Sequence, residues 1–312
     1  MPAFLHDLAA PAKLNLFLHV TGRRDDGYHL LETVFELIDL VDSIDLDDDP
    51  GGAITLATPT PGVPPEADLT VRAARLLARE AGIARGVRIT LRKRIPMGAG
   101  LGGGSSDAAT VLRGLNTLWD LHWPRDRLAR IGLALGADVP VFIAGEPAFA
   151  TGVGEHLLPI PLPRTRYVLL MPDAHVPTAA AFGADDLTRD TKSLKIDSLS
   201  QLEQVLQAIG RGKNDLQPVV ARRYPDVDHA LALLRRAART AGSPDAAVRM
   251  SGSGASVFLP VDGEAQAARV MDYLGDAGVR TDPDGTRFDR SALRAWIVES
   301  WRDPAIIRSA EQ

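Results

Sequence analysis

The sequence predicts an α+β protein built as two domains. Strand and helix patterns are intermixed, without the regular βαβα alternation of a doubly wound parallel sheet. The length, 312 residues, suits two ordinary domains or one large one. The pattern also changes style near residue 165, which places an N-terminal domain over 1–164 and a C-terminal domain over 165–312.

Each element follows from local pattern. In residues 12–21, Leu14, Leu16, Leu18 and Val20 share one face, and Lys13, Asn15, Phe17 and His19 share the other. This reads as a half-buried strand with Lys13 and Asn15 side by side on its non-core face. Asp26-Gly27 is a turn signal. "LLETVFELIDLVDSIDLD" reads as one or two more strands, with Asp47-Asp48-Asp49 as a solvated turn rather than a metal site. "TPTPGVPPEAD" is a surface loop. Over 68–82 the apolar positions Leu69, Ala73, Leu76, Leu77 and Ala81 fit a helix that Asp68 caps and Gly82 ends. Val87, Ile89 and Leu91 alternate in a strand. A glycine-rich loop follows, then a helix capped by Ser105 or Ser106, with Ala108, Val111, Leu112, Leu115, Leu118 and Trp119 apolar. A further helix, 125–135, ends at Gly136, and "DVPVFIAGEPAFATGVGE" reads as strand and turn.

Beyond residue 165, "RYVLLMPD" is a strand and 184–200 a polar, mobile segment. Helices are expected around 200–210, 215–222 and 226–241 and over "GEAQAARVMDYLGDAG". A second glycine cluster, Gly252 to Gly254, precedes the apolar strand of "MSGSGASVFLPV". In the tail, 285–312, Leu293, Trp296, Ile297 and Trp301 form an apolar helix face, or "AWIVESW" a strand. It either docks on the C-terminal domain or makes a subunit contact.

Composition narrows the function. With 45% hydrophobic and 24% charged residues the chain is an ordinary globular one. A net charge of -5 argues against nucleic acid or an anionic membrane as the main partner. There is no cysteine, which excludes disulfides, thiolate metal sites and cysteine nucleophiles. No signal peptide or membrane-length apolar run is evident, so a cytoplasmic location is expected.

The stretch "PMGAGLGGGSSDAA", residues 96–109, carries five glycines, at 98, 100, 102, 103 and 104. It contains G-x-G-x-x-G, but the preceding strand bears Arg88, Arg92, Lys93 and Arg94, unlike the buried parallel strand of a dinucleotide fold. Asp120, at a suitable distance, falls at a helix end rather than on a following strand. The G-K-[ST] ending of a Walker loop is missing, and so are the H-R-D and D-F-G elements of a protein kinase. What remains is bare backbone leading into a helix N-terminus, whose unpaired N–H groups and partial positive charge suit a nucleotide's phosphates.

This loop resembles the phosphate loop of the GHMP small-molecule kinases. "PAKLNLFLHV", "RRDDGYH", "LGADVPVF" and "MSGSGASVF", in that order, extend the resemblance from about residue 10 to about 260. The resemblance implies a two-domain α+β GHMP-kinase fold with its active site in the cleft between domains. It implies ATP held by Pro96, Met97, Gly98, Ala99, Gly100, Leu101, Gly102, Gly103, Gly104, Ser105 and Ser106. Mg²⁺ is expected with the ATP, without a dedicated metal cage, its ligands mostly phosphate and water with Ser105 or Ser106 as a candidate for one. Asp138 would accept the proton of the substrate hydroxyl. Lys13, beside Asn15, would keep that carboxylate ionised and steady developing charge. Tyr28 by its ring and His29 by hydrogen bonds would hold a cytidine base. Phe182 would give a second aromatic face, with Thr178 nearby. The implied substrate is a small molecule with a cytidine diphosphate group, a methylerythritol whose 2-hydroxyl receives the γ-phosphoryl group in non-mevalonate isoprenoid precursor synthesis. A monomer or homodimer is expected. Two departures stand out: Ala99 where relatives usually carry glycine, and Asp68 where asparagine is common.

Overall fold

The computed structural model describes residues 3–196, 198–281 and 293–303. The chain opens with a long hairpin, β1 (Phe4–Arg23) and β2 (His29–Asp49). Its turn is closed by Gly27 N–H donating to Arg24 O at 3.0 Å and Arg24 N–H to Tyr28 O at 2.7 Å. Then come β3 (Ile54–Leu56), α1 (Leu69–Ala81), β4 (Gly86–Arg92), α2 (Gly103–Leu118), α3 (Arg125–Gly132), α4 (Val139–Ala144), β5 (Ala148–Thr151) and β6 (His156–Pro159). These strands form one sheet, ordered β3-β4-β2-β5-β6, with β1 also paired to β2. The second half supplies β7 (Arg166–Met171), α5 (Thr178–Phe182), α6 (Leu202–Arg211), α7 (Gln217–Arg223), α8 (Pro225–Thr240), β8 (Arg249–Met250), β9 (Val257–Val261), α9 (Glu264–Asp276), β10 (Arg280–Thr281) and β11 (Arg294–Glu299). Its sheet runs β10-β11-β7-β9-β8. Among the described residues no helix is long and apolar enough to cross a membrane.

Helix α1 forms as its sequence dictates. The Asp68 carboxylate accepts from Thr70 N–H at 2.9 Å, and Gly82 ends the helix in the left-handed region at φ 65°. Strand β4 buries Val87, Ile89 and Leu91 as the alternation required.

Four local expectations are corrected. Strand β1 is not half-buried: Ala10, Ala12, Leu14, Phe17 and Val20 are fully enclosed, and Lys13 and Asn15 are buried too. The second sheet covers one face, where Leu14 and Leu16 pack with Tyr167, Leu169 and Phe258. A bulge between Asn15 and Leu18 interrupts the strict alternation. Helix α2 is capped by neither Ser105 nor Ser106. It begins at Gly103 behind Gly102, whose φ of 73° a side chain would oppose. Residues 139–144 are a short helix, α4, despite their β-branched content, because Pro140 starts it and Gly145 ends it at φ 75°. Asp47 and Asp48 lie within β2 and pair with His6 and Arg85, each at 2.8 Å.

The tail resolves to a strand. β11 pairs antiparallel with β7 and parallel with β10, and buries Trp296 while Ile297 stays exposed. It then crosses to the other sheet. Trp301 N–H donates to Leu37 O at 2.7 Å, Arg302 pairs with the buried Glu36 carboxylate, and Asp303 pairs with Arg113 of α2. Residues 294–303 thus strap the two sheets together. The remaining tail residues, 285–292 and 304–312, lie outside the described residues.

Burial pushes the Glu36 carboxyl up to about 7 although Arg302 pulls the other way. A carboxyl raised above its unfolded value stabilises below that unfolded value and loses this stabilisation as pH rises through the folded one. Relative to Glu36→Gln, the wild-type chain should therefore lose stability between pH 4.5 and 8, by up to about 3 kcal/mol. Urea unfolding of both proteins at the two pH values measures it, and parallel curves would remove Glu36 as the cause.

Candidate active site

A cavity of about 950 Å³ opens between the two halves of the chain. This is the upper end of the range for small-molecule sites. Its walls come from β1, the hairpin turn, the glycine loop, the start of α4, helix α5 and the second glycine cluster.

The glycine loop takes its shape from what lies against it. Gly98, Gly100 and Gly102 have φ of 70°, 73° and 73°. A Cβ on Gly100 would fall 2.3 Å from Ser251 O and 2.8 Å from Gly254 O, so loop and second cluster pack backbone on backbone. A Cβ on Gly102 would strike the Phe142 ring at 2.8 Å. Ala99 has no positive φ and is buried, which explains how alanine replaces a glycine there. Its carbonyl accepts from Ser256 N–H at 3.1 Å.

Helix α2 starts where this loop ends. By helix geometry, the N–H groups of Gly103, Gly104 and Ser105 have no partner inside the helix. All three residues line the cavity. Ser106 does not: its N–H donates to Gly102 O at 2.9 Å, and its hydroxyl is buried without a partner. Of the residues expected to hold phosphate, Ser106 alone does not line the cavity. Pro96 through Ser105 all face the cavity.

Below the helix start lies an ionic cluster that no motif signalled. Lys93 Nζ contacts the Asp107 carboxylate at 2.7 Å and that of Asp42. Burial draws the Lys93 pKa down, but Asp107 and Asp42 outweigh it, and the group stands above its ordinary value. Burial raises the Asp107 carboxyl. Asp42 also accepts from Ile95 N–H at 2.8 Å, and so ties the entry of the glycine loop to β2.

Lys13 and Asp138 meet across the cavity floor. Lys13 Nζ is 3.7 Å from Asp138 Oδ2 and donates to Asn15 Oδ1 at 2.5 Å. The Lys13 side chain is 5% exposed and that of Asp138 33%, so the lysine is sealed in and the carboxylate faces the open space. Burial lowers the Lys13 pKa, and Asp138 works against that shift. Asn15 Nδ2 donates to Thr33 Oγ1 at 2.9 Å, which fixes the amide orientation. Ser251 Oγ accepts from Asn15 N–H at 3.2 Å and donates to Gly100 O at 3.1 Å. One hydroxyl thus joins the strand carrying Lys13 to the glycine loop.

The other expected residues converge as well. Tyr28, His29, Thr178 and Phe182 all line the cavity. The His29 and Phe182 rings lie 5.2 Å apart at 31°, and Thr178 Oγ1 is 2.9 Å from Ser253 Oγ. Asp68 is absent from the walls; it caps α1 and accepts from Thr60 Oγ1 at 2.7 Å. Of the segment 184–200, residues 184–196 are tied rather than loose. Leu194 N–H donates to Glu32 Oε2 at 2.9 Å, and Arg189 donates to Ala184 O at 2.6 Å and to His29. Arg189 gave no sequence signal, because it acts by reaching His29, distant in the chain.

A buried lysine, a carboxylate open to a cleft and a glycine loop at a helix start are groups that phosphoryl transfer can use. Comparison with known proteins agrees. Residues 68–146 match the GHMP kinases N terminal domain and residues 191–280 the GHMP kinases C terminal. The chain is 51% identical over 273 residues to a 4-diphosphocytidyl-2-C-methyl-D-erythritol kinase of Ralstonia nicotianae, covering 88% of this chain and 91% of that one. The chain belongs to the 4-diphosphocytidyl-2-C-methyl-D-erythritol kinase family of GHMP kinases. A relative of the same description from Bordetella parapertussis is 53% identical over 94% of this chain and 99% of its own. The crystal structure of a 4-(cytidine 5'-diphospho)-2C-methyl-D-erythritol kinase superposes with a TM-score of 0.72 at 35% identity, over 95% of this chain and 99% of that one. A homoserine kinase from Cytophaga hutchinsonii, at 18% identity and a TM-score of 0.65 over 97% and 96% of the two chains, shares the fold.

The contact between the two glycine turns is open to test in this kinase. Gly100→Ala should cost at least about 2 kcal/mol, through a strained φ and a backbone clash. Thermal unfolding reads this as a fall of several degrees, whereas an unchanged Tm would mean that the turns do not touch.

Proposed function

We propose that this kinase transfers the γ-phosphoryl group of ATP to the 2-hydroxyl of 4-diphosphocytidyl-2-C-methyl-D-erythritol, in isoprenoid precursor biosynthesis. The observation that carries the reading is the meeting of Lys13, Asn15 and Asp138 beside the helix start of the glycine loop. The relatives named above supply the substrate. In the same reading, the N-terminal domain ends at residue 164, where the chain leaves the first sheet, and the C-terminal domain follows.

The phosphates of ATP lie against the N–H groups of Gly103, Gly104 and Ser105, where the helix dipole adds partial positive charge. The methylerythritol hydroxyl lies by Asp138, which orients it and takes its proton as the new O–P bond forms. The bond from the γ-phosphorus to the bridging oxygen breaks, and ADP leaves with that electron pair. Lys13, paired with the Asp138 carboxylate, offsets negative charge on the transferring group. Its sealed position keeps water from screening this effect. Asn15 holds the ammonium in place. Tyr28, His29 and Phe182 take the cytidine base, and Thr178 lies beside them.

Mg²⁺ belongs to this reading as part of the nucleotide. Among the described residues no group of three or more His, Asp or Glu side chains could hold a metal. Ser106 Oγ is turned into the protein and Asp138 is a single carboxylate. This donor set fits a cation bound chiefly by phosphate oxygens and water. When bound, it screens the triphosphate charge.

An ADP-release assay with the cytidine substrate tests the proposal. Absence of turnover there, with turnover of another alcohol, would overturn the substrate. Asp138→Asn should retain ATP binding and lose about 10²–10⁴-fold in kcat; unchanged turnover would remove Asp138 from its role.

A further inference from the structure

Building on the proposed cytidine substrate, we infer that Arg189 determines base specificity by fixing the proton of His29 on Nδ1. Arg189 Nε donates to His29 Nε2 at 3.0 Å. A guanidinium has only donors, so Nε2 must offer its lone pair, and the one proton of the neutral ring resides on Nδ1. The opposite tautomer would set N–H against N–H.

Arg189 is itself held rigidly. It donates to Leu187 O and Phe182 O at 3.1 Å each, and to Ala184 O at 2.6 Å. The same guanidinium therefore positions the end of α5 that carries Phe182 and the ring that faces it. Burial and the charges of Arg189 and Arg23 lower the His29 pKa, which keeps the ring neutral.

The consequence is chemical. His29 lines the cavity with Tyr28 and Phe182 and offers a donor, Nδ1–H, but no acceptor. A cytosine ring carries a lone pair on N3, which accepts from such a donor. A uracil ring carries N3–H, which meets it donor to donor and leaves both groups unpaired. A site built for one hydrogen-bond pattern rejects its inverse strongly, because buried polar groups lose their partners. Arg189, bonded to the opposite nitrogen of the ring, thereby chooses between two bases that differ little in shape.

Two readouts test this, neither dependent on turnover. The first is ¹⁵N NMR of the histidines in the full chain. His29 should show protonated Nδ1 and bare Nε2, and Arg189→Ala should shift it toward a tautomer mixture. The second is calorimetric titration with CDP and UDP. The wild-type chain should prefer CDP by about 100-fold or more, and Arg189→Ala should reduce that ratio at least tenfold. Loss of both affinities by the same factor would mean that Arg189 only supports the loop, and would overturn the proposal. So would a wild-type His29 protonated on Nε2, a result that needs no variant to fold. Failure to turn over the cytidine substrate would instead overturn the function proposed above and leave the CDP-to-UDP ratio standing.

Discussion

The structure turns on one contact, the meeting of two glycine turns from opposite halves of the chain. Gly100 lies so close to the carbonyls of Ser251 and Gly254 that no side chain fits between them. This contact shapes the cavity by holding the glycine loop open toward the helix start. It also seals Lys13, whose ammonium lies 3.1 Å from where a Cβ of Gly252 would be. An ammonium in such a place is poorly hydrated, and its field acts on Asp138 with little screening.

Around this contact, each half of the chain holds the other in register. The Ser251 hydroxyl joins Asn15 to Gly100. Asn214 uses both amide hydrogens on Met250 O and Gly252 O, at 2.8 and 2.7 Å, and so fixes the second turn from behind. The buried guanidinium of Arg249 donates to Leu16 O on the strand that bears Lys13. On the far side, the strap at 300–303 ties the second sheet to β2 and α2. Elements that would otherwise be two domains on a hinge thus share their polar connections, and the reacting groups inherit that rigidity.

Much of this was legible before the fold was known. The helix at 69–81 announced itself through period, cap and terminating glycine, all local signals. The glycine loop could be separated from dinucleotide and Walker loops by its charged preceding strand and its missing lysine. Lys13, Asp138, Tyr28, His29, Thr178 and Phe182, spread over 170 positions of sequence, do line one cavity. Errors gathered where tertiary contacts override local preference. Strand β1 looked half-exposed because nothing in its alternation tells that the glycine loop and the second glycine turn close over Lys13 and Asn15. Ser105 and Ser106 looked like caps because serine favours that position, yet Gly102 alone fits against Phe142. Residues 139–144 looked extended because Val and Ile favour strands, while Pro140 and Gly145 set a helical turn.

The sequence by itself determined most of the elements, the mixed α+β class and the glycine-rich loop that leads into a helix. Periodicity, caps and glycine density are written in neighbouring residues, and bare amides at a helix start need no distant partner. Only the tertiary structure decided that Ser106 faces away from the cavity, that the tail is a strap, and that Arg189 sets the tautomer of His29. Each depends on one hydrogen bond or close contact between residues far apart in the chain. Such a contact arises from how the sheets pack, and no local pattern encodes it.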